Sequence, residues 1–209
     1  MCPIVLFAPT LQDDEVVIVQ GARPMIAMSG FGRTAKLQSY VDTERSEWKN
    51  RVVLFMDAIE LDGYDRSQGV PDVLPGNIDR ELRKAFAAFS ARKTNGQGFS
   101  IVTTGFWGCR SFGGDRYIKT IIQWIAATLA GTPLRFVCNG QSQQQFAQEL
   151  THLTKIAIRE GWTARMLLDA LNTLTPEDPK ARDAFRAIQR IWIDDYAIAK
   201  AEVNSWWLG

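Results

Sequence analysis

Histidine is nearly missing from this chain. Its 209 residues hold one, His152. That count leaves no room for a multi-histidine metal site and sets His152 alone as a base for a histidine-dependent triad. Cysteine is scarce as well: Cys2, Cys109 and Cys138. Three is an odd number, and no pair has the spacing of metal ligands. A disulfide scaffold and a structural zinc site are therefore not expected, and the reading assigns no metal and no cofactor. Net charge is also lacking, with 24 basic against 23 acidic residues. No broad basic surface for nucleic acid or an anionic membrane is expected. Long apolar runs are absent. The longest, IIQWIAATLAG, is short for a membrane span and is interrupted by Gln123. The opening residues do not have the basic-then-apolar pattern of a signal peptide. A soluble protein of a reducing compartment, cytoplasm or nucleus, is the expectation.

What is present is an ordinary globular composition, 46% hydrophobic and 22% charged. The length fits one domain over 1–209, with an α/β part at 1–140 and a helical tail at 141–209. Strands are predicted at Val16–Gln20, Arg51–Ala58, Phe99–Thr103 and Leu134–Cys138 from their β-branched and apolar content. Ile4–Ala8 reads equally as strand or short buried helix. GARPMIAMSGFGRTA, Gly21–Ala35, lies between the first two strands, is broken by Gly21, Pro24, Gly30 and Gly32, and is read as one irregular strand and a loop. Helices are predicted at Asn77–Arg92, with Asn77 as its cap, and at Asp115–Ala130. After Gly140 the pattern is helical: Ser142–Glu160, Thr163–Leu174 and Pro179–Trp207. Strand and helix alternate through the middle of the chain, which predicts a mostly parallel sheet.

The densest feature lies between a strand and a helix: TGFWGCRSFGGD, Thr104 to Asp115. In α/β sheets ligands bind beyond the carboxyl ends of strands. Gly113 and Gly114 permit a left-handed backbone and close approach of a phosphate, and Gly105 and Gly108 allow sharp bends around Trp107. Trp107 and Phe112 can stack on a ribose or base, or plug the core. Asp115 is placed to cap the helix. Gly105, Phe106, Trp107, Gly108, Cys109, Arg110, Ser111, Phe112, Gly113 and Gly114 form a candidate diphosphate loop. The alternative is a turn with buried aromatics.

TGFWGCRSFGGDRYIKTIIQWIAATLA resembles the signature of poly(ADP-ribose) glycohydrolases, T-G-N-W-G-C-G-A-F-G-G-D followed by a helix with L/I-Q-x-x-A-A. Upstream, SGFGRTA, RVVLFMDAIEL and RELRKAFAAF resemble the family's T-G-Y-A-E-T, I-D-A-L and R-E-L-N-K-A-Y-x-G-F segments in order. LRFVC falls where the family has Y-F-T-F. The resemblance covers roughly Pro3 to Gln148. It implies a macrodomain-type α/β fold, ADP-ribose or poly(ADP-ribose) as ligand, and a diphosphate held by this loop.

The resemblance also marks departures. The family's catalytic glutamates lie in a G-G-G-…-Q-E-E segment, where a carboxyl pair protonates the leaving oxygen and activates water. In register, Met1 and Cys2 fall where the glutamates stand, so no catalytic residue is assigned and the sheet is expected to be incomplete on its N-terminal side. Asp13, Asp14 and Glu15 read as a solvated turn. Phe106 replaces an asparagine, Arg110 a glycine and Ser111 an alanine. Met28 falls at the adenine-stacking tyrosine, and Cys138 at the second Phe of Y-F-T-F. Arg110 can pair with a phosphate or fill its space. Three functions stay open: a catalytically impaired family member that binds ADP-ribose, the C-terminal part of an active glycohydrolase with glutamates supplied from elsewhere, and a structural or interaction protein. Trp192, Tyr196, Trp206 and Trp207 suit a protein interface or a packed last helix.

Overall fold

The computed structural model of the protein describes residues 11–30, 34–65, 67, 69–93, 95–109, 111–177 and 183–191. The strands are β1 (Val17–Gln20), β2 (Ile26–Ser29), β3 (Lys36–Tyr40), β4 (Val52–Phe55), β5 (Val102–Thr104) and β6 (Leu134–Phe136). The helices are α1 (Arg45–Trp48), α2 (Asn77–Ser90), α3 (Arg116–Leu129), α4 (Gln144–Arg159) and α5 (Ala164–Asn172), with a further helical stretch at 184–191. The segments Ile4–Ala8 and 192–209, with Met1, Cys2 and the four tail aromatics, lie outside the described residues.

The fold is mixed α/β, but the strands do not form the mostly parallel sheet expected. Among the described residues only β5 and β6 pair in parallel, with Val102 opposite Leu134. β1 and β4 pair antiparallel, and so do β2 and β3, with a register shift between Ala27 and Met28. The reason is in the connections. A parallel pair needs a crossover, and α3 supplies one between β5 and β6. The chain from Ile26 to Tyr40 instead doubles back through Gly30, whose φ of 71° permits the reversal. β2 falls in the stretch read as one strand and a loop, and its hairpin partner β3 lies just beyond that stretch.

α3 is the central helix. Ile118, Ile121, Ile122, Ile125 and Ala126 recur at helical spacing and are fully buried, with α2 on one side and α5 on another. Phe146 of α4 is also fully buried, edge-on to Phe106 (4.8 Å) and tilted against Phe185 (5.4 Å). Gln123 lies in the middle of this apolar helix because it joins α3 to the end of β5. Its side-chain oxygen accepts from Thr104 Oγ1 at 2.6 Å, and its Nε2 donates to Gly105 O at 3.2 Å. No helix among the described residues is long and apolar enough to cross a membrane. Asn77 is not the cap of α2. It is the first helical residue, Gly76 precedes it with φ 84°, and the Asn77 amide donates to Pro71 O at 2.8 Å.

Candidate functional site

The loop from Thr104 to Asp115 is laid over a buried lysine. Lys119, one turn into α3, is 1% exposed. Its ammonium donates to Glu81 of α2, lies 3.8 Å from Asp72 Oδ1, and sits 5.2 Å from the centre of the Trp107 ring. An ammonium stripped of water is retained only with such partners. Glu81 is held in turn by the Ile59 N–H at 2.9 Å and by Arg80 Nη1 at 2.7 Å. Arg80 also binds Asp13 (2.9 Å) and Asp57, and Lys84 binds Asp57 at 2.8 Å. Asp13, read as part of a solvated turn, is thus an ion-pair partner of α2. Burial is the largest single effect on the Asp57 carboxyl and pushes it up, but the hydrogen bonds and charges of Lys84 and Arg80 together outweigh it and hold the group below its usual range.

The glycines of the loop follow from this arrangement. A Cβ on Gly114 would lie 2.6 Å from Lys119 Cε and 2.9 Å from Gly108 O. One on Gly108 would lie 2.7 Å from Ala58 Cβ. Gly113 has φ 71°, and a Cβ there would meet Asp62 N at 2.8 Å. The loop is fastened to the segment after β4 by Leu61 N to Phe112 O at 2.7 Å and Trp107 Nε1 to Met56 O at 3.1 Å. Gly105 has only Val137 O, 3.6 Å away. Close packing of the chain on itself therefore accounts for three of the four glycines.

The helix end beneath the loop is already occupied. Asp115 Oδ1 accepts from Tyr117 N (2.8 Å) and Ile118 N (3.1 Å), and Asp115 N donates to Asp72 Oδ2 (2.8 Å). Those donors would otherwise attract an anion. Among the described residues no acceptor takes the N–H of Gly108, Ser111 or Phe112. Phe106 turns inward, 5.4 Å from Phe136 and 4.8 Å from Phe146. Burial pushes the Cys109 thiol up to about 12, and its S–H donates to Trp107 O at 3.4 Å. It is no thiolate nucleophile at neutral pH. Arg110 lies outside the described residues. Met28, on the β2–β3 hairpin, is exposed.

Asp72 is pushed up to about 6, first by burial and then by the Asp115 and Glu81 carboxylates, against the pull of Lys119 and the Asp115 N–H. Its Oδ1 has no hydrogen-bond partner. A carboxyl raised from 3.8 binds its proton more tightly folded than unfolded. The stability it contributes is complete below pH 3.8 and is lost as pH rises through about 6. Relative to the native chain, Asp72→Asn is therefore expected to gain in urea midpoint between pH 4 and pH 7. A difference independent of pH would contradict the assignment.

The sequence pattern alone assigns no role to Lys119, Glu81 or Asp72. The signal was present for two of them. Glu81 interrupts the apolar stripe Ile78, Leu82, Ala85, Ala88 and Phe89, and Lys119 lies between Ile118 and Ile122. An ionisable residue at a core position marks a buried pair.

A mixed α/β fold with a glycine loop clamped between strand end and helix defines the class. The sequence pattern of the family described as poly(ADP-ribose) glycohydrolase, macro domain fold, matches residues 1–146. The chain belongs to the poly(ADP-ribose) glycohydrolase family. It is 31% identical over 157 residues to poly(ADP-ribose) glycohydrolase 1 of Caenorhabditis elegans, covering 68% of this chain and 20% of that protein. It is 28% identical over 160 residues to poly(ADP-ribose) glycohydrolase 2 of the same organism, covering 68% and 32%. Poly(ADP-ribose) glycohydrolase 1 of Arabidopsis thaliana is 37% identical over 62 residues, covering 30% and 11%. The chain thus spans a third or less of the length of these relatives.

Proposed function

We propose that this chain binds ADP-ribose through the 105–114 loop and does not by itself hydrolyse the glycosidic bond. The carrying observation is the state of the carboxylates packed beneath the loop. Glu81 is committed to Lys119, Arg80 and the Ile59 N–H. Asp115 is committed to the α3 N-terminus, and buried Asp72 holds the Asp115 N–H. Glycoside hydrolysis needs one carboxyl free to protonate the leaving oxygen and a second to act on the opposite side. The N–H groups of Gly108, Ser111 and Phe112 are donors of the kind a diphosphate uses. The family match supports ADP-ribose as the ligand that carries it.

Incubated alone with poly(ADP-ribose), the chain is expected to release no ADP-ribose above the uncatalysed rate. Release that survives Asp72→Asn and Glu81→Gln together would point to carboxylates elsewhere and sink this reading. The short span relative to the nematode enzymes favours a second reading, in which further sequence supplies the glutamates. Release that appears only when a G-G-G-…-Q-E-E segment is added would establish it.

A further inference from the structure

Three carboxylates crowd one ammonium beneath the loop, and they are not equally served. Glu81 takes hydrogen bonds from Lys119, from Arg80 and from the Ile59 N–H. Asp115 takes the N–H groups of Tyr117 and Ile118 at the start of α3. Asp72, in the short turn Pro71–Val73 ahead of α2, takes one bond: the Asp115 N–H, on Oδ2 at 2.8 Å. Its Oδ1 has no hydrogen-bond partner and lies 3.8 Å from the Lys119 ammonium. The side chain is 2% exposed, so bulk water does not solvate that oxygen. A buried carboxylate with one oxygen unmet is the member of the cluster on which a proton is held most easily.

Among the described residues, few charged or titratable groups face Asp72. From α3 and its cap come the Lys119 ammonium and the Asp115 carboxylate, from α2 the Glu81 carboxylate, and from the loop the Cys109 thiol. The thiol is kept neutral by burial. Lys119 is already bonded to Glu81, so ionising Asp72 adds a negative charge to the cluster. That charge lies against the loop backbone. A Cβ on Gly114 would stand 3.2 Å from Asp72 Oδ1, and Gly114 N donates to Gly108 O at 2.9 Å. Gly108 carries one of the N–H groups that no acceptor takes among the described residues. A diphosphate held there meets the Asp72 charge across buried protein, where like charges repel far more strongly than in water.

We infer that Asp72 is a positioning residue that takes up a proton when the loop binds ADP-ribose, so that the chain holds this ligand more tightly in mild acid than at neutral pH. The inference rests on the proposed function and adds a proton to it. The proton comes from solvent and goes to Oδ1, the oxygen without a partner. Oδ2 keeps the Asp115 N–H in both forms, so the start of α3 stays in place and only the charge beneath the loop changes. The sign follows from burial, which with Asp115 and Glu81 raises the Asp72 carboxyl to about 6. Below that pH the proton is already present and the loop is ready for an anion. Above it, binding has to draw the proton from solvent, and affinity falls.

The test is calorimetric titration of the full chain with ADP-ribose from pH 5 to pH 8, each pH in two buffers of different ionisation enthalpy so that protons are counted. Both phosphates of ADP-ribose are diesters and keep their charge over this range, so a proton taken up goes to the protein. The dissociation constant is expected to rise about tenfold from pH 5 to pH 8, with uptake of about half a proton between pH 6 and pH 7. Asp72→Asn keeps an acceptor for the Asp115 N–H and cannot ionise. It is expected to bind with a flat pH profile, more tightly than the native chain at pH 8, and to take up no proton. His152→Gln removes the chain's only histidine, which is exposed on α4, and is expected to keep the native profile. Saturable heat with a flat native profile overturns the inference and leaves the proposed function standing. So does proton uptake that survives in Asp72→Asn or disappears in His152→Gln. No heat at any pH from a folded chain overturns the proposed function and the inference with it. If Asp72→Asn does not fold, the native and His152→Gln proton counts decide: uptake between pH 6 and pH 7 in both supports the inference, and its absence from either overturns it.

Discussion

Replacing Lys119 by methionine is expected to destabilise the fold by about 3–5 kcal/mol, enough to unfold a domain of ordinary stability under mild conditions. Methionine keeps the length of the apolar stem that packs beneath Gly108 and Gly114. What it removes is the charge. Glu81 keeps Arg80 and the Ile59 N–H, and Asp72 keeps the Asp115 N–H, but both lose the buried cation between them. The cost is that of leaving buried carboxylates uncompensated, not the net worth of the pair. Adding Glu81→Gln to Lys119→Met removes one of those charges and is expected to recover part of the loss, a coupling of about 1 kcal/mol or more in a double-mutant cycle. Urea unfolding of the four proteins checks this. Strict additivity would show that Lys119 and Glu81 do not act as a pair.

The second large effect is expected from Gly113→Val. Gly113 has φ 71°, where a side chain costs about 1–2 kcal/mol before any clash. The new Cβ would stand 2.8 Å from Asp62 N and 2.9 Å from Asp62 Cα, so backbone must move. Moving it breaks the Leu61–Phe112 hydrogen bond, worth about 1 kcal/mol. A total near 3 kcal/mol is expected, with loss of ADP-ribose binding. Gly105→Ala is the contrast. Its nearest neighbour is at ordinary contact distance and its φ is not positive, so the cost is expected to stay within about 1 kcal/mol. Thermal unfolding of the two variants checks the order. Equal losses would mean that the loop is not docked on Asp62 as described.

The sequence made the helices around the core legible because their apolar residues repeat at helical spacing. Ile118, Ile121, Ile122 and Ile125 define α3 before any coordinates do. The strands were found in place but read too long. Their pairing was missed, since alternation of strand and helix does not say which edges meet. β3 was missed altogether. Each of its five residues is exposed, so no buried face imprints an alternating pattern on Lys36–Tyr40. At the loop, the motif is what the chain shares with its family. The reason for its glycines was not legible, because it depends on Lys119, Ala58 and Asp62, which come close only in the fold. The proposed function asks the same loop both to hold itself together and to hold a ligand. Gly108, Gly113 and Gly114 do the first, and under the proposed function the N–H groups of Gly108, Ser111 and Phe112 would do the second.

The most direct test of the account is a calorimetric titration of the folded 209-residue chain with ADP-ribose, with adenosine as a control lacking the diphosphate. The account predicts saturable heat with ADP-ribose below about 1 mM, weaker or no heat with adenosine, and none from Gly113→Val. No heat up to that concentration from a chain shown to be folded would contradict it. The loop's glycines would then serve the packing on Lys119 and Asp62 alone.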